Sequence, residues 1–192
     1  RRWDWQTLMD MNGGNLLNTG PHPLDQALQL FGTDVMPEVF CLMDRVNTFG
    51  DAEDHVKLIL HGKDRPTIDL EISSCCAYPL YTYQIYGANG GLSGNMTHMD
   101  WKYFKPEEAP AQKLSRESLP GRGYCGESLK WYTDKWDVPK SQSNLFDVMG
   151  KAFYKNIYDA ITTGAPLTIT PLEVRQQIAV IEECHRQDQS RR

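Results

Sequence analysis

The sequence has little of what marks several functional classes. No apolar run approaches the roughly 18 residues that a membrane-spanning helix needs, and the opening RRWDWQTL lacks the apolar core of a signal peptide, so no membrane partner is expected. Positive charge is not in excess. The 20 Lys and Arg stand against 25 Asp and Glu, interleaved along the chain to a formal net charge of -5, which argues against a phosphate-neutralising surface and so against nucleic acid as a partner. Cysteine is scarce: Cys41, Cys75, Cys76, Cys125 and Cys184 are odd in number and two are adjacent, unlike the disulfide framework of a small secreted protein. A reducing compartment, the cytoplasm, is the expectation. Neither CxxC nor HExxH occurs, His55, His61, His98 and His185 are scattered, and Cys75 and Cys76 would point to opposite faces of a strand, so no metal is expected. There is no fixed-period repeat and no low-complexity segment. Without an initiator methionine, and with Arg1-Arg2-Trp3 running into strand-like sequence, the chain reads as a fragment.

What is present suits one domain over residues 1–192, with 40% hydrophobic and 10% aromatic residues. A helix is predicted from Pro21–Pro23 to Gly32, because proline suits the first turn, glycine ends the helix, and Leu24, Leu28 and Phe31 share a face. From Val39 to Phe104 the period changes to two. Val56, Leu58 and Leu60, then Ile68, Leu70 and Ile72, read as a hairpin about the turn GKDRP, and runs around Tyr81–Ile85 and Thr97–Tyr103 extend a meandering antiparallel sheet. The glycines of GANGGLSG (Gly87 to Gly94) lack the GxGxxG order of a phosphate cradle and read as a turn at positive φ. Residues 106–143 lose periodicity and read as an irregular insertion around Trp131, Tyr132 and Trp136.

Two more helices follow. One starts after the cap residue Asn144, carries Leu145, Met149, Phe153, Ile157 and Ile161, and ends before Gly164. The other opens on the capping box Thr170-Pro171-Leu172-Glu173, with Val174, Ile178 and Ile181 as its buried stripe and a fraying tail DQSRR. The fold class is α+β, a mostly antiparallel sheet with helices packed on one face.

The stretch GGNLLNTGPHPLDQALQLFG carries the chemistry. Asn18, His22 and Asp25 flank a helix entrance at spacings of four and three. The partial positive charge there works against a charged imidazole, while Asp25 would favour one; a ring so placed can move protons. An ordinary alternative is that His22 caps its own helix and Asp25 complements the dipole. Spacing alone leaves both open.

The same residues resemble the start of the C-terminal domain of the glucose-fructose oxidoreductase, inositol dehydrogenase and rhizopine-catabolism (Gfo/Idh/MocA) family, and IYGANGGLSGNMTHMDWKYF, AFYKNIYDAITTGAPLTITP and VRQQIAVIEECHR extend the likeness. The resemblance implies a dihydrodipicolinate-reductase-like α+β domain of a two-domain, NAD- or NADP-dependent dehydrogenase of sugars, inositols or related polyols. Its cofactor would be held mainly by an N-terminal Rossmann domain that these residues do not include; the family's Glu-Lys-Pro lysine is also not among them, and the isolated chain would be inactive. His22 matches the histidine of the family's Asp-x-x-x-His pattern, which takes or relays the substrate hydroxyl proton. Asn18 stands where many members have aspartate. It cannot accept a proton, but its amide can hydrogen-bond a hydroxyl. Asp25 matches the acid after the histidine, Thr19 would line the substrate side of the turn, and Gly20 would let the cofactor approach. The resemblance also implies a homo-oligomer through the open sheet face, although Thr82, Gln84, Asp100 and Lys102 read equally well as a solvated surface. The alternative function is a non-catalytic sugar-binding or oligomerisation module of the same architecture.

Overall fold

The computed structural model describes residues 1–79, 81–118 and 124–189, which fall into two compact units, Arg1–Ala77 with Asn156–Arg192, and Tyr78–Lys155. In the first unit, strands β1 (Glu38–Asp44), β2 (His55–His61) and β3 (Ile68–Ser73) form an antiparallel sheet in that order. The alternation does what period two predicts: Val56, Leu58 and Leu60 point into the core, and the register pairs Val56 with Ile72 and Leu60 with Ile68. Helix α1 (Asn15–Asn18) precedes α2 (Pro21–Phe31), whose Leu24, Ala27, Leu28 and Phe31 are buried at helical spacing. Gly32, at φ 116°, ends α2 as expected. The GKDRP turn adds a stop that spacing could not show: Arg65 donates to the Phe31 carbonyl at 3.3 Å and to Asp34 at 2.7 Å, holding the Asp34 carboxyl below its usual range.

Helix α4 (Pro171–Gln189) closes the same core, packing on β1 and α2. Its capping box is formed, with Thr170 N–H donating to Glu173 at 2.6 Å and Glu173 N–H to the Thr170 hydroxyl at 3.3 Å. The buried face is not Val174 and Ile178, which are exposed, but Gln177, Val180, Ile181 and Cys184. Glutamines explain the rotation. Gln177 donates to the Pro21 carbonyl, Gln176 to the Val35 carbonyl at 2.6 Å, and Gln187 both donates to the Val39 carbonyl and accepts from Cys41 N–H, so α4 docks by covering the free edge of β1. Asp188 and Gln189 of the expected fraying tail are helical; Ser190 to Arg192 lie outside the described residues.

The second unit is one four-stranded antiparallel sheet, β4 (Tyr83–Gly87), β5 (Gly90–Gly94), β6 (His98–Tyr103) and β7 (Tyr132–Asp137), in sequence order. Two expectations are corrected here. GANGGLSG is not a turn: β5 fills most of it, the turn is confined to Ala88 and Asn89, and positive φ occurs among the described glycines only at Gly14, Gly32 and Gly164. Gly90 and Gly94 are small because a Cβ would collide with the Lys102 and His98 carbonyls of β6. The insertion at 106–143 contains β7, where Tyr132, Asp134 and Trp136 alternate with Thr133, Lys135 and Asp137; residues 119–123 lie outside the described part.

The single meander is therefore two sheets. The opening residues form 3-10 turns, Trp5–Thr7 and Met9–Met11, rather than a strand, because the Asp4 side chain accepts from Gln6 N–H. Cys75 and Cys76 lie beyond the end of β3 instead of within it. Helix α3 (Leu145–Thr163) has its Asn144 cap and buries no residue.

Candidate functional site

The Asn18–His22 turn is built from its glycines upward. Gly13 and Gly14 bring the chain out of the 3-10 turns, Gly14 at φ 111°, and α1 forms at once. Its start is fixed by one residue, Glu53. The Glu53 carbonyl accepts Asn15 N–H at 3.0 Å and the Glu53 Oε1 accepts Leu16 N–H at 3.0 Å, while Leu16 is fully buried on the other side. The Asn15 amide donates to the Asp54 carbonyl at 2.9 Å and to the Ser74 hydroxyl at 2.8 Å. Thr19 and Gly20 then turn the chain into α2, with His22 N–H on the Thr19 carbonyl at 3.3 Å.

The predicted residues are thus brought together by local chain geometry and face different surroundings. Asn18 is half-buried on a small polar cavity of about 30 Å³, shared with Arg2, Asn15, Glu53, Asp54 and Ser74. His22 is exposed and does not line that cavity. Its ring makes no hydrogen bond among the described residues, and no ion pair joins it to half-buried Asp25. No side chain caps α2, so His22 does not serve as a cap. Thr19 is exposed. Gly20 is buried, and a Cβ there would strike the Leu16 carbonyl, which makes its smallness a demand of the α1–α2 connection.

Sequence reasoning missed the walls of the cavity, Glu53, Asp54 and Ser74. The signal available was an acidic pair set directly before a strand with buried alternate positions, where a charge has to find partners. The two acids behave oppositely. Burial pushes the Glu53 carboxyl up, only partly offset by the Leu16 amide. Burial would raise Asp54 as well, yet its oxygens accept the Val46 and Asn47 amides at 2.7 and 2.9 Å, and such bonds hold it below the usual carboxylate range. Among the described residues no group of three His, Cys, Asp or Glu is placed to hold a metal, and no helix is long and apolar enough to cross a membrane.

The GFO/IDH/MocA C-terminal domain family matches residues 1–93, the part that contains α1, the Asn18–His22 turn and the whole three-stranded sheet. The likeness to that family is carried by this segment. Among solved structures, the chain is similar to an oxidoreductase from Bacillus cereus (TM-score 0.65, 17% identity, 90% of this chain and 49% of that one). It is similar also to an NAD-binding protein from Listeria innocua (0.62, 18%, 94% and 51%) and to an oxidoreductase from Agrobacterium radiobacter in complex with NAD+, L-tartaric acid and magnesium (0.60, 16%, 92% and 47%). At these identities the likeness is one of fold, and the chain spans about half the length of the structures it matches. No curated protein gives a comparable match to the sequence.

Proposed function

We propose that the chain is the substrate-side domain of a NAD- or NADP-dependent dehydrogenase acting on a sugar, an inositol or a related polyol, in concert with a Rossmann domain of the full-length protein. The observation that carries this reading is the Asn18–His22 turn. Within the family-matched segment, an amide facing a polar cavity and a ring with no hydrogen bond among the described residues stand four residues apart at the entrance of α2. The cavity has room for a water-sized group, which suits one hydroxyl of a polyol rather than a whole ring.

A bound nicotinamide would supply the hydride acceptor. This chain's residues would do the rest: His22 takes the proton of the reacting hydroxyl as its carbon gives up hydride and becomes a carbonyl, and the Asn18 amide, donor and acceptor at once, holds another hydroxyl of the same substrate at the cavity. The exposed Thr19 hydroxyl and the Asp25 carboxylate border the same turn and fit further hydroxyls of the substrate. These groups suit the nicotinamide end of a dinucleotide. GANGGLSG, being a strand of an antiparallel sheet, offers no pyrophosphate cradle.

Asn18 also favours a second reading, because an amide cannot share in a proton relay: a sugar-binding or oligomerisation module without turnover. Self-association finds support in the four-stranded sheet, where Ile85, Leu92, Trp101, Tyr103 and Trp136 share one face while Gln84, Asp100 and Lys102 occupy the other, and where Ile85, Tyr103 and Trp136 are exposed.

The deciding experiment uses the full-length protein and follows nicotinamide absorbance over a panel of polyols with NAD and with NADP. His22→Ala is expected to lower kcat by roughly 10²–10⁴-fold. Unchanged turnover at saturating substrate removes the histidine's role, and polyol binding without turnover in the wild type selects the second reading.

A further inference from the structure

We propose that Glu53 is the positioning residue of the Asn18–His22 turn, its carboxyl seated in the space that Gly14 leaves open and holding α1 by its first amides. The proposal rests on the reading above only for what the turn does, not for how it is held. Three independent features converge on this side chain. Glu53 is 7% exposed although it is an acid, and a buried acid without a task is costly. It holds two successive amides of α1, Asn15 N–H through its main chain and Leu16 N–H through its side chain, each at 3.0 Å. A Cβ at Gly14 would overlap the Glu53 carboxylate, and the φ of 111° at that position disfavours any other residue. Gly14, the second of the two glycines that open the stretch, is therefore a seat for an acid 39 positions further along the sequence.

The surroundings act on this carboxyl in opposite senses. Burial pushes it up, and the charged groups bearing on it from α4 are His185, which favours the anion, and Asp188, which opposes it. Asp54 and the two arginines Arg1 and Arg2 border the same cavity. What the turn requires of residue 53 is an acceptor oxygen at a fixed place, which a glutamine also provides. Because Leu16 is clamped, Asn18 one turn fraction later and His22 beyond the Thr19–Gly20 bend are set relative to the cavity without touching Glu53.

The test uses full-length protein carrying Glu53→Gln, Glu53→Ala and, separately, Gly14→Ala. Hydrogen exchange of the Leu16 to Thr19 amides is read alongside kcat and KM on the polyol panel. Glu53→Ala is expected to speed exchange at Leu16, Asn18 and Thr19 at least about tenfold while β2 and β3 amides stay protected, and to lower kcat more than it changes KM. Glu53→Gln restores both. If Glu53→Ala does not fold, Gly14→Ala reaches the same seat from the other side and is expected to give the same local loosening. The proposal is overturned if exchange at α1 stays at wild-type values, if β2 and β3 loosen equally, or if glutamine fails to rescue. Local loosening in a protein with no polyol turnover supports the clamp and removes the dehydrogenase reading.

Discussion

The two units solve the same problem, an antiparallel sheet of alternating residues, in different ways. In the first, Val56, Leu58 and Leu60 of β2 meet Leu24, Leu28 and Phe31 of α2 and Val180, Ile181 and Cys184 of α4, and every buried hydrophobic side chain among the described residues belongs to this unit. In the second, Gly94 is the sole buried position among the described strand residues, and the apolar row Ile85, Leu92 and Trp101 is at best half-buried. Alternation thus decides which side of a strand is apolar; whether that side becomes a core depends on a helix being there to cover it. The first sheet is held by burial, the second by its ladder and by contacts on its surface such as the Tyr103–Tyr132 stack at 5.5 Å.

The sharpest way to break this contrast is a matched pair of truncations. Phe31 is 1% exposed, with its ring against Gly62, and Phe31→Ala is expected to cost about 3–5 kcal/mol in denaturant unfolding. Ile85 is 42% exposed opposite Leu92, and Ile85→Ala is expected to cost about 1 kcal/mol or less. Equal losses would mean that the second sheet hides a core of its own. In light scattering, a wild-type oligomer weakened by Ile85→Ala would place the subunit contact on the apolar face, and a wild-type monomer would remove the self-association reading.

The same contrast explains what could be read in advance. Helices α2 and α4 were legible because their signals are local: Pro21 and Gly32 bracket one, the Thr170–Glu173 box opens the other, and the hairpin at β2–β3 carries its own period and turn. The Asn18–His22 turn was legible for that reason too, lying in five consecutive residues. Strand β7 was hidden because Asp134 interrupts its apolar side, and β5 because glycine signals a turn as readily as close backbone approach. The stripe of α4 was misplaced because glutamine amides, counted as surface in a hydropathy pattern, spend their hydrogen bonds on the ends of α2 and the edge of β1. The acidic pair before β2 points at Glu53 but does not show it buried, because a buried acid and a solvated one are the same letter and its partners Gly14 and Leu16 lie far away in sequence.

Within the first unit, adjacent acids allow a finer comparison of opposite sign. Asp54 is depressed in the folded state, so its contribution is present above its unfolded value of 3.8 and is lost as pH falls through the lower folded value. Asp54→Asn, which replaces an acceptor oxygen by a donor facing Val46 or Asn47 N–H, should cost roughly 1–3 kcal/mol at neutral pH, and the deficit should shrink as pH drops below about 4. Glu53 is raised, so the folded state holds its proton more tightly, and ionising it as pH climbs past the folded value works against folding. Melting temperatures of Asp54→Asn and Glu53→Gln, followed from pH 3 to 8, should therefore diverge from wild type in opposite directions toward neutrality. Parallel curves would show that the two carboxyls share one environment.

The smallest expected effect lies on the polar face of the second sheet, where His98 joins β6 to β7. Its Nδ1 lies 2.7 Å from an Asp137 oxygen and its Nε2 2.7 Å from an Asp100 oxygen, and since ionised carboxylates only accept, both ring nitrogens must donate. The cluster is closed by Lys135, 3.7 Å from Asp137. The hydrogen bond with Asp137, and next that with Asp100, accordingly raise His98 above its ordinary 6.5. A raised imidazole contributes stability that is fully present below the unfolded value and is lost as pH rises through the folded one. His98→Gln should thus lower the melting temperature slightly below about pH 6.5, converge with wild type at higher pH, and lose its effect in high salt, because the pair is exposed and screened. An NMR midpoint for His98 at or below 6.5 would mean that the ring does not bridge the strands in solution, and the second sheet would then rest on its ladder and aromatic stack alone.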